Sequence, residues 1–360
     1  MKLSTVRTFF IFFICTFALL KAQSSGKNML IGKVYDAATS ESLSNASVYL
    51  SGTTIGTATD KNGYYQIAKV PAGKYQLIIS LVGYAPLIER INLPDSSIHK
   101  KDFHLEQQII EMNPVQISEE HTEEWKENLE AFKKYFLGQT DFSDECTIEN
   151  QNEIVLLKDT NNVLTAKSTN PLTVINRALG YRIECLLAKF VLNEQKLQAS
   201  IVYYAKFSEL ESSNKNELNH WDENREDAFE NSLKKFLHSI IDSKNIKGEY
   251  FINTDKLYNL YKSGRYTYSV VSLDSTFWKK HITQKENEKT FVVELDKRLY
   301  GVLNLRTREE SYFRLPEGSL EIDTDGTPID PLMIDVSGDY ANKGVANLLP
   351  KDYSVFNLDK

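Results

Sequence analysis

The chain has 360 residues, with 42 lysines and arginines against 49 aspartates and glutamates, which gives a formal net charge of −7. This length accommodates two domains, or one small and one larger domain. An acidic balance disfavours nucleic acid and anionic membrane surfaces as partners. We therefore predict no nucleic-acid partner.

The first 22 residues have the pattern of a secretory signal peptide. Lys2 and Arg7 form a basic start, residues 9–20 are apolar, and Leu20-Lys-Ala22 offers a cleavage site. The apolar stretch is shorter than the roughly 20 residues of a membrane-spanning helix. Removing Lys2, Arg7 and Lys21 leaves a mature charge of 39 minus 49, or −10. We predict an exported protein whose mature chain has no transmembrane span.

Residues 28–105 alternate short strand patterns with turn signals. Asp60-Lys-Asn-Gly63 favours a turn because Asp and Asn adopt turn conformations and Gly63 tolerates a positive φ. Val70-Pro-Ala-Gly73 is a second turn, since Pro71 cannot donate to a strand ladder. The segments between such turns are rich in aromatic and β-branched residues. About seven short strands predict a small antiparallel β-sandwich.

Several of these segments follow in a recognisable order, namely Gly-Thr-Ala-Thr-Asp (56–60), Gly-Tyr-Tyr-Gln-Ile (63–67), Val-Pro-Ala-Gly-Lys-Tyr (70–75) and Val-Gly-Tyr (82–84). Over residues 28–105 the order resembles the carboxypeptidase regulatory-like domain. The resemblance implies a transthyretin-like sandwich, of the kind found before the plug of TonB-dependent outer-membrane receptors, and it implies no catalytic residue. It also implies structural turn roles for Gly63, Pro71, Gly73, Gly83 and Tyr84.

The remainder of the chain predicts a linker at 106–117 and a second, β-rich (α+β) domain at 118–360. Ser118 is the expected N-cap of a first amphipathic helix, which Gly138 ends. Asn219 is the expected N-cap of a second amphipathic helix, with an apolar stripe that reaches Ile241. The segments between and after the helices alternate as strands do.

Two segments of this second domain carry a further resemblance. Residues 170–181 read Asn-Pro-Leu-Thr-Val-Ile-Asn-Arg-Ala-Leu-Gly-Tyr, and residues 224–237 read Asn-Arg-Glu-Asp-Ala-Phe-Glu-Asn-Ser-Leu-Lys-Lys-Phe-Leu. Together they are similar to a C-terminal region of secreted, sandwich-bearing proteins of Gram-negative bacteria. The similarity implies no activity.

A zinc site is the first chemistry to test, because metallocarboxypeptidases use a His-x-x-Glu pair. His121-Thr-Glu-Glu124 has this spacing, and His220 or His238 would have to supply a third ligand. With six histidines and 49 acidic residues, about one such match is expected by chance. The pair also falls in the first turn of an amphipathic helix. We predict no metal site.

Other catalytic patterns are equally weak. The sequence contains no Gly-x-Ser-x-Gly elbow, no phosphate loop and no dinucleotide fingerprint, so we predict no cofactor. Asp323, Asp325 and Asp330 resemble a calcium loop, but the glutamate at the twelfth position of an EF-hand is absent. A turn rich in aspartate and glycine is the preferred interpretation.

Cys146 and Cys185 are the cysteines of the mature chain. In an oxidising compartment they could pair, and closing this loop would stabilise the fold by roughly 4 kcal/mol. The alternative is two buried thiols that behave as small apolar residues. Spacing alone does not decide between the two.

Taken together, these features predict a non-catalytic protein of the periplasm, or of the periplasmic face of the outer membrane, in a Gram-negative bacterium. The favoured function is a binding or assembly module for an envelope protein, peptide or glycan. One alternative is a hydrolase with its site in the second domain. Another is an accessory to a TonB-dependent outer-membrane transporter.

Overall fold

The computed structural model of the protein describes residues 28–94, 97–108, 122–242, 246–254, 273–285 and 290–353. The predicted signal peptide, most of the predicted linker, Ser118 and His121 lie outside these ranges. Within the ranges, no helix is long and apolar enough to cross a membrane.

The N-terminal part is a two-sheet β-sandwich, mainly antiparallel as predicted. Its described strands are β1 (Asn28–Asp36), β2 (Ser47–Leu50), β3 (Gly56–Ala58), β4 (Tyr64–Val70), β5 (Gly73–Ser80), β6 (Leu87–Leu93), β7 (Ile98–Lys100) and β8 (Phe103–Leu105). One sheet has the order β4-β1-β7, with β8 also paired to β1, and the other has the order β3-β2-β5-β6. Strands β7 and β8 run parallel to β1. Alternate residues of β1 are buried, which is the period expected for a strand with one face on the core.

The turn residues predicted from the sequence close this sandwich. Gly63 has φ +71°, and a Cβ there would lie 2.8 Å from the carbonyl oxygen of Val34. Tyr84, beside Gly83 at φ +86°, donates its hydroxyl to Asp36, 2.9 Å away. Backbone N–H groups and the Gln107 amide donate to the same carboxylate, which holds the pKa of Asp36 well below its usual range. A buried carboxylate thereby ties the end of β1 to two loops.

The sandwich extends beyond Leu105 into the predicted linker. The amide of Ala85 donates to the carbonyl of Glu106 (2.9 Å), and the amide of Gln108 donates to the carbonyl of Gly83 (2.9 Å). Residues 106–108 are therefore part of the sandwich in the structure.

The second part of the chain contains three further sheets. Its described strands are β9 (Cys146–Ile148), β10 (Val155–Lys158), β11 (Val163–Lys167), β12 (Leu172–Asn176), β13 (Tyr181–Asn193), β14 (Gln198–Glu209), β15 (Tyr250–Thr254), β16 (Ile282–Gln284), β17 (Thr290–Glu294), β18 (Tyr300–Asn304), β19 (Glu310–Arg314), β20 (Ser319–Asp323) and β21 (Asp335–Gly338). The sheets have the orders β10-β11-β13-β12-β9, with β14 paired to β13, then β15-β18-β19-β21, and β16-β17-β20.

Helices pack on these sheets. They are α1 (Glu123–Phe136), α2 (Asp141–Asp144), α3 (Lys215–Glu230), α4 (Leu233–Asp242), α5 (Ile246–Glu249), α6 (Ser275–His281) and α7 (Asp339–Asn342). Two separate apolar clusters result. Phe132 and Phe136 of α1 belong to the cluster on the six-stranded sheet. Phe236 and Ile240 of α4 belong to the cluster on the two smaller sheets.

The second amphipathic segment differs from its prediction. It begins at Lys215 with Asn214 as the N-cap, not at Asn219, and it is broken into α3 and α4. Ser232 causes the break, because its hydroxyl donates to the carbonyl of Phe229 (2.7 Å) and accepts from the amide of Lys235 (3.0 Å). The side chain thus ends one helix and caps the next.

The two segments that resemble a C-terminal region meet in space at the β12–β13 hairpin. From α3, Trp221 donates to the carbonyl of Arg177, Asn224 to that of Ala178 and Arg225 to that of Leu179, each at 2.8 Å. The Arg225 guanidinium also lies 4.2 Å from the ring centroid of Tyr181. One helix therefore satisfies consecutive carbonyls of a tight turn, and we call this set the hairpin clamp (Trp221, Asn224, Arg225).

Cys146 and Cys185 are both buried free thiols, so the disulfide considered from the sequence is not formed. Cys146 lies on β9 opposite Asn176, whereas Cys185 lies on β13 opposite Leu172. Strand β12 separates them laterally and they are offset by four residues along it. That separation exceeds the roughly 7 Å Cα limit for a disulfide.

We expect neither thiol to react in the native protein. Burial raises the pKa of the Cys146 thiol to about 12 and raises that of Cys185 as well, so the reactive thiolate is scarce. A colorimetric thiol reagent at pH 8 should detect no thiol in the folded mature chain and two after denaturation. Finding none in denaturant without reductant would show that the cysteines had paired.

Candidate functional site

The sandwich docks on the second part of the chain through backbone hydrogen bonds. The amide of Gly52 donates to the carbonyl of Ala205 (2.7 Å), and the amide of Phe207 donates to the carbonyl of Thr53 (3.0 Å). These bonds make a short parallel bridge between Thr53 and Lys206 on β14. The loop after β2 thus adds one residue of pairing to the six-stranded sheet.

Residues 343–353, which we call the C-terminal strap, contact both parts. The amide of Ala346 donates to the carbonyl of Leu137 at the end of α1 (2.9 Å). Farther along, the amide of Lys351 donates to the carbonyl of Gly52 (2.6 Å). The amide of Thr54 donates to the Asp352 carboxylate (3.0 Å), and the Thr54 hydroxyl donates to it as well. The strap therefore binds the same sandwich loop that pairs with β14.

Ion pairs cross the same interface. Lys74 of β5 lies 2.7 Å from Glu321 of β20, and Arg90 of β6 pairs with Asp330. Asp330 also caps the turn after it by accepting from the amide of Leu332 (3.0 Å). Partly exposed pairs of this kind each contribute about 0–1 kcal/mol, so they fix orientation more than they add stability.

A cleft of about 350 Å³ lies between the two parts. Its sandwich wall comes from the β4–β5 turn, the start of β5 and the end of β6. Its other wall comes from the β20 loop and the C-terminal strap. The lining residues are Thr53, Ile55, Pro71, Ala72, Gly73, Lys74, Tyr75, Asn92, Leu93, Pro94, Thr290, Asp323, Thr324, Asp325, Lys351 and Asp352. The predicted turn positions Pro71 and Gly73 thus form part of a cleft wall.

Two hydrogen-bonded carboxyl groups, those of Asp323 and Asp325, line this cleft. Burial, followed by the hydrogen bond with Asp325, raises the pKa of Asp323 to about 7, although Lys351 favours its ionised form. Burial acts on Asp325 too, but the hydrogen bond from Asp323 and the ammonium of Lys234 hold the pKa of Asp325 below its usual range. Below about pH 7 the pair therefore holds one proton, with Asp323 as donor and Asp325 as acceptor.

The loop that carries this pair is the turn predicted at Asp323–Gly326. The amide of Thr327 donates to Asp323 (2.9 Å), and Gly326 has φ +87°. A Cβ at Gly326 would lie 2.3 Å from the carbonyl oxygen of Lys234, so the loop packs directly on α4. The carboxylates are paired with ammonium groups: Lys351 with Asp323, and Lys234 with Asp325 at 2.8 Å. Asp330, the third residue of the calcium loop considered from the sequence, pairs with Arg90, so all three carboxylates have cationic side chains as partners.

Tyr75 lies beside the Asp323–Asp325 pair, but its ring already contacts the ammonium group of Lys351. The Lys351 ammonium lies 4.9 Å from the ring centroid, and the Tyr75 hydroxyl donates to the carbonyl of Pro71 (3.2 Å). Burial raises the pKa of this hydroxyl. The tyrosine therefore helps to hold the strap against the sandwich.

The residues proposed for zinc binding are not brought together among the described residues. His220 lies 3.1 Å from the Asn224 amide on α3, and His238 of α4 contacts the carbonyl of Thr324 at 3.1 Å. No cluster of three or more His, Cys, Asp or Glu side chains suited to a metal ion occurs in the part of the chain that is described.

Sequence reasoning missed Lys351, Asp352 and Lys74 as members of this cleft, and Thr54 as a partner of Asp352. Lys74 and Glu321 are 247 residues apart, and Thr54 and Asp352 are 298 apart. A single sequence holds no local signal for such pairs. The run Val-Pro-Ala-Gly-Lys-Tyr (70–75), which supplies part of the sandwich wall, was recognised in the sequence, but only as a turn.

Residues 30–117 match the family model described as the CarboxypepD_reg-like domain. This range includes the sandwich and the predicted linker. It confirms the domain type that the N-terminal motifs indicated. A search of the curated proteins found no match to the chain.

Solved structures show only distant similarity. A chain of a type II cohesin–X-dockerin complex from Acetivibrio cellulolyticus is 22% identical over 21% of this chain and 52% of that one, with a TM-score of 0.18. The group B streptococcus pilus 2b backbone protein is 17% identical over 22% and 41%, with a TM-score of 0.20. A protein of Bacteroides uniformis, provisionally described as carbohydrate binding, is 12% identical over 51% and 79%, with a TM-score of 0.21. The chain spans about half or less of the length of the first two structures. TM-scores this low carry no inference about function.

Proposed function

We propose that the protein, whose residues 30–117 form a carboxypeptidase regulatory-like domain, is a non-catalytic binding module of the envelope of a Gram-negative bacterium. In this proposal a signal peptide at 1–22 exports it to the periplasm, where the sandwich and the domain at 118–360 act as one unit. Its ligand is a component of the envelope. The accessory role with a TonB-dependent transporter stays a prediction that no observation favours.

The observation that carries the proposal is the cleft between the two parts. Ligand sites are often found where domains meet, because each contributes a wall. Here the two parts that supply the walls are joined by the Thr53–Lys206 bridge and by the C-terminal strap. Such a fixed cleft suits recognition, since little ordering is needed on binding.

The experiment is capture from envelope extract by the immobilised mature chain, compared with two variants. The double variant Lys351→Ala/Asp352→Ala removes the strap side chains from the cleft. The control double variant Arg314→Ala/Asp335→Ala removes an exposed ion pair outside the cleft lining. Far-UV circular dichroism verifies that both are folded.

The proposal predicts reproducible capture by the wild type and by the control variant, and loss of capture by the strap variant. Equal capture by all three chains would place binding elsewhere. No reproducible capture by the wild type would overturn the binding module itself.

One observation favours a hydrolase as a second candidate. Buried carboxyls with pKa values pushed apart are typical of acid–base sites. The raised pKa of Asp323 and the lowered pKa of Asp325 fit that pattern. In glycoside hydrolases, however, the two carboxyls stand about 5–9.5 Å apart to flank a substrate, whereas these are hydrogen-bonded to each other. Each also pairs with a lysine of this chain, so both carboxyls have partners without a substrate.

A substrate screen separates the two candidates. Chromogenic glycosides, esters and peptides are incubated with the wild type and with Asp323→Asn. Turnover that Asp323→Asn abolishes would establish the hydrolase, and we expect none.

A further inference from the structure

We infer that the cleft takes a neutral carbohydrate chain, which donates its hydroxyl groups to carboxylate oxygens of the cleft. This inference rests on the proposed binding function and names its ligand class. Three features of the cleft support it: its cationic groups are paired, its carboxylates keep acceptor positions, and part of its wall is apolar.

The cationic groups of the cleft are already engaged. Lys74 pairs with Glu321 at 2.7 Å, Lys351 pairs with Asp323, and Lys234 behind the wall pairs with Asp325 at 2.8 Å. A carboxylate or phosphate ligand would have to break one of these pairs. It would also face the negative charges of Asp325 and Asp352. An anionic ligand is therefore disfavoured.

The acceptor groups retain capacity. A carboxylate has about four lone-pair positions. Asp325 accepts from Lys234, from Asp323 and from the amide of Thr327 (3.2 Å), which leaves about one position, and Asp352 accepts from the amide and the hydroxyl of Thr54. Asn92, which is exposed at the end of β6, adds an amide that both donates and accepts. The ligand that matches these groups brings several donors of its own.

Part of the sandwich wall is apolar. Ile55, Pro71, Ala72, Leu93 and Pro94 line the sandwich side. A sugar unit combines hydroxyl donors at its rim with a C–H face, so it matches both kinds of surface. A cationic peptide also brings donors, so it is the competing ligand class that the test has to exclude. The volume, about 350 Å³, is at the lower end of the range for small-ligand sites, which suits a short stretch of a glycan.

Saturation-transfer NMR and titration of the folded mature chain test this inference. The probes are maltotetraose, cellotetraose, tetraacetylchitotetraose, tetragalacturonate and tetralysine. The variant Asn92→Ala removes one exposed amide of the cleft. The control variant Asn161→Ala makes the same change in an exposed turn of the second domain.

We expect at least one neutral tetrasaccharide to bind, with affinity about fivefold to tenfold weaker in Asn92→Ala, as for one lost hydrogen bond, and unchanged in Asn161→Ala. Absence of neutral sugar binding, equal affinity in Asn92→Ala and wild type, or tighter binding of tetragalacturonate or tetralysine would overturn the carbohydrate assignment. If sugars fail while envelope capture still requires the strap, the binding module stands and only its ligand class falls. If both fail, both proposals fall.

Discussion

Replacing Trp221 by alanine will destabilise the second domain by about 3–5 kcal/mol, the range for truncating a large buried aromatic side chain. Trp221 is 3% exposed, and its indole N–H donates to the carbonyl of Arg177. The substitution leaves a cavity and an unpaired carbonyl together. Urea unfolding followed by far-UV circular dichroism measures the change. Glu223→Ala, an exposed position on the same helix, serves as the control and should shift stability by less than about 0.5 kcal/mol.

A double-mutant cycle with Gly180 makes this prediction specific to the hairpin clamp. Gly180 has φ +68°, and a Cβ there would lie 2.3 Å from a ring atom of Trp221. Gly180→Ala alone should therefore be strongly destabilising, through both backbone strain and the clash. In the Trp221→Ala background the clash is absent, so the added penalty should be clearly smaller. Additive effects would show that the indole does not pack on the turn.

The second large expected effect is a fall in the free energy of unfolding of the wild-type protein as pH rises from about 4 to 8. The folded-state pKa of Asp323 is raised to about 7, whereas an unfolded aspartate titrates near 3.9. Between these values the folded state holds a proton that the unfolded state has released. Stability therefore falls as pH rises, by up to about 1.4 kcal/mol per pH unit for one proton. The lowered pKa of Asp325 acts below this window, where its contribution is lost as pH falls.

Asp323→Asn provides the measurement of this effect. Urea unfolding of wild type and variant at pH 5, 6, 7 and 8 gives the stability difference at each pH. The neutral amide resembles protonated Asp323 and does not titrate. The free energy of unfolding of the variant should therefore rise relative to that of the wild type as pH rises. Asp335→Asn, which changes an exposed carboxylate of the second domain, should leave the wild-type slope intact. Parallel profiles for wild type and Asp323→Asn would refute the shared proton.

Local chemistry made the sandwich predictable. Gly63 was assigned to a turn because such turns need positive φ, and it adopts one; Gly83, to which the resemblance gave a turn role, has a positive φ as well. The strands between these turns follow from short runs of aromatic and β-branched residues that alternate along the chain, which is a property of adjacent residues. The family match at 30–117 agrees with this part of the prediction. The signal peptide stays a prediction, because it lies outside the described residues.

The second domain was less predictable because its decisive contacts are not local. The apolar stripe at 228–241 reads as one helix, yet Ser232 divides it and sends Ala228 and Phe236 to different cores. A hydroxyl that caps a helix and a hydroxyl that merely faces solvent look the same in a sequence. The contacts of the hairpin clamp could not be predicted from the sequence. Residues 170–181 and 224–237 had been noted there only for their resemblance to a C-terminal region of other proteins.

The candidate site shows the same limit. The Asp323–Asp325 turn was recognised, and an aspartate-rich turn was preferred to a calcium loop. Its charge balance was not readable, because Lys234 and Lys351 come from α4 and from the C-terminal strap. The pKa of a carboxyl depends on burial and on neighbours within a few ångströms, whatever their distance along the chain.

By itself, the sequence determined the sandwich, its turns and the β-rich character of the second domain, because turn chemistry and strand periodicity are properties of adjacent residues. Tertiary structure alone decided that Cys146 and Cys185 stay apart, that the strap joins the two parts, and that a cleft lined by two adjacent carboxyls lies between them. Each of these depends on which distant segments pack together. That choice is made by the burial of whole surfaces and not by any short run of residues.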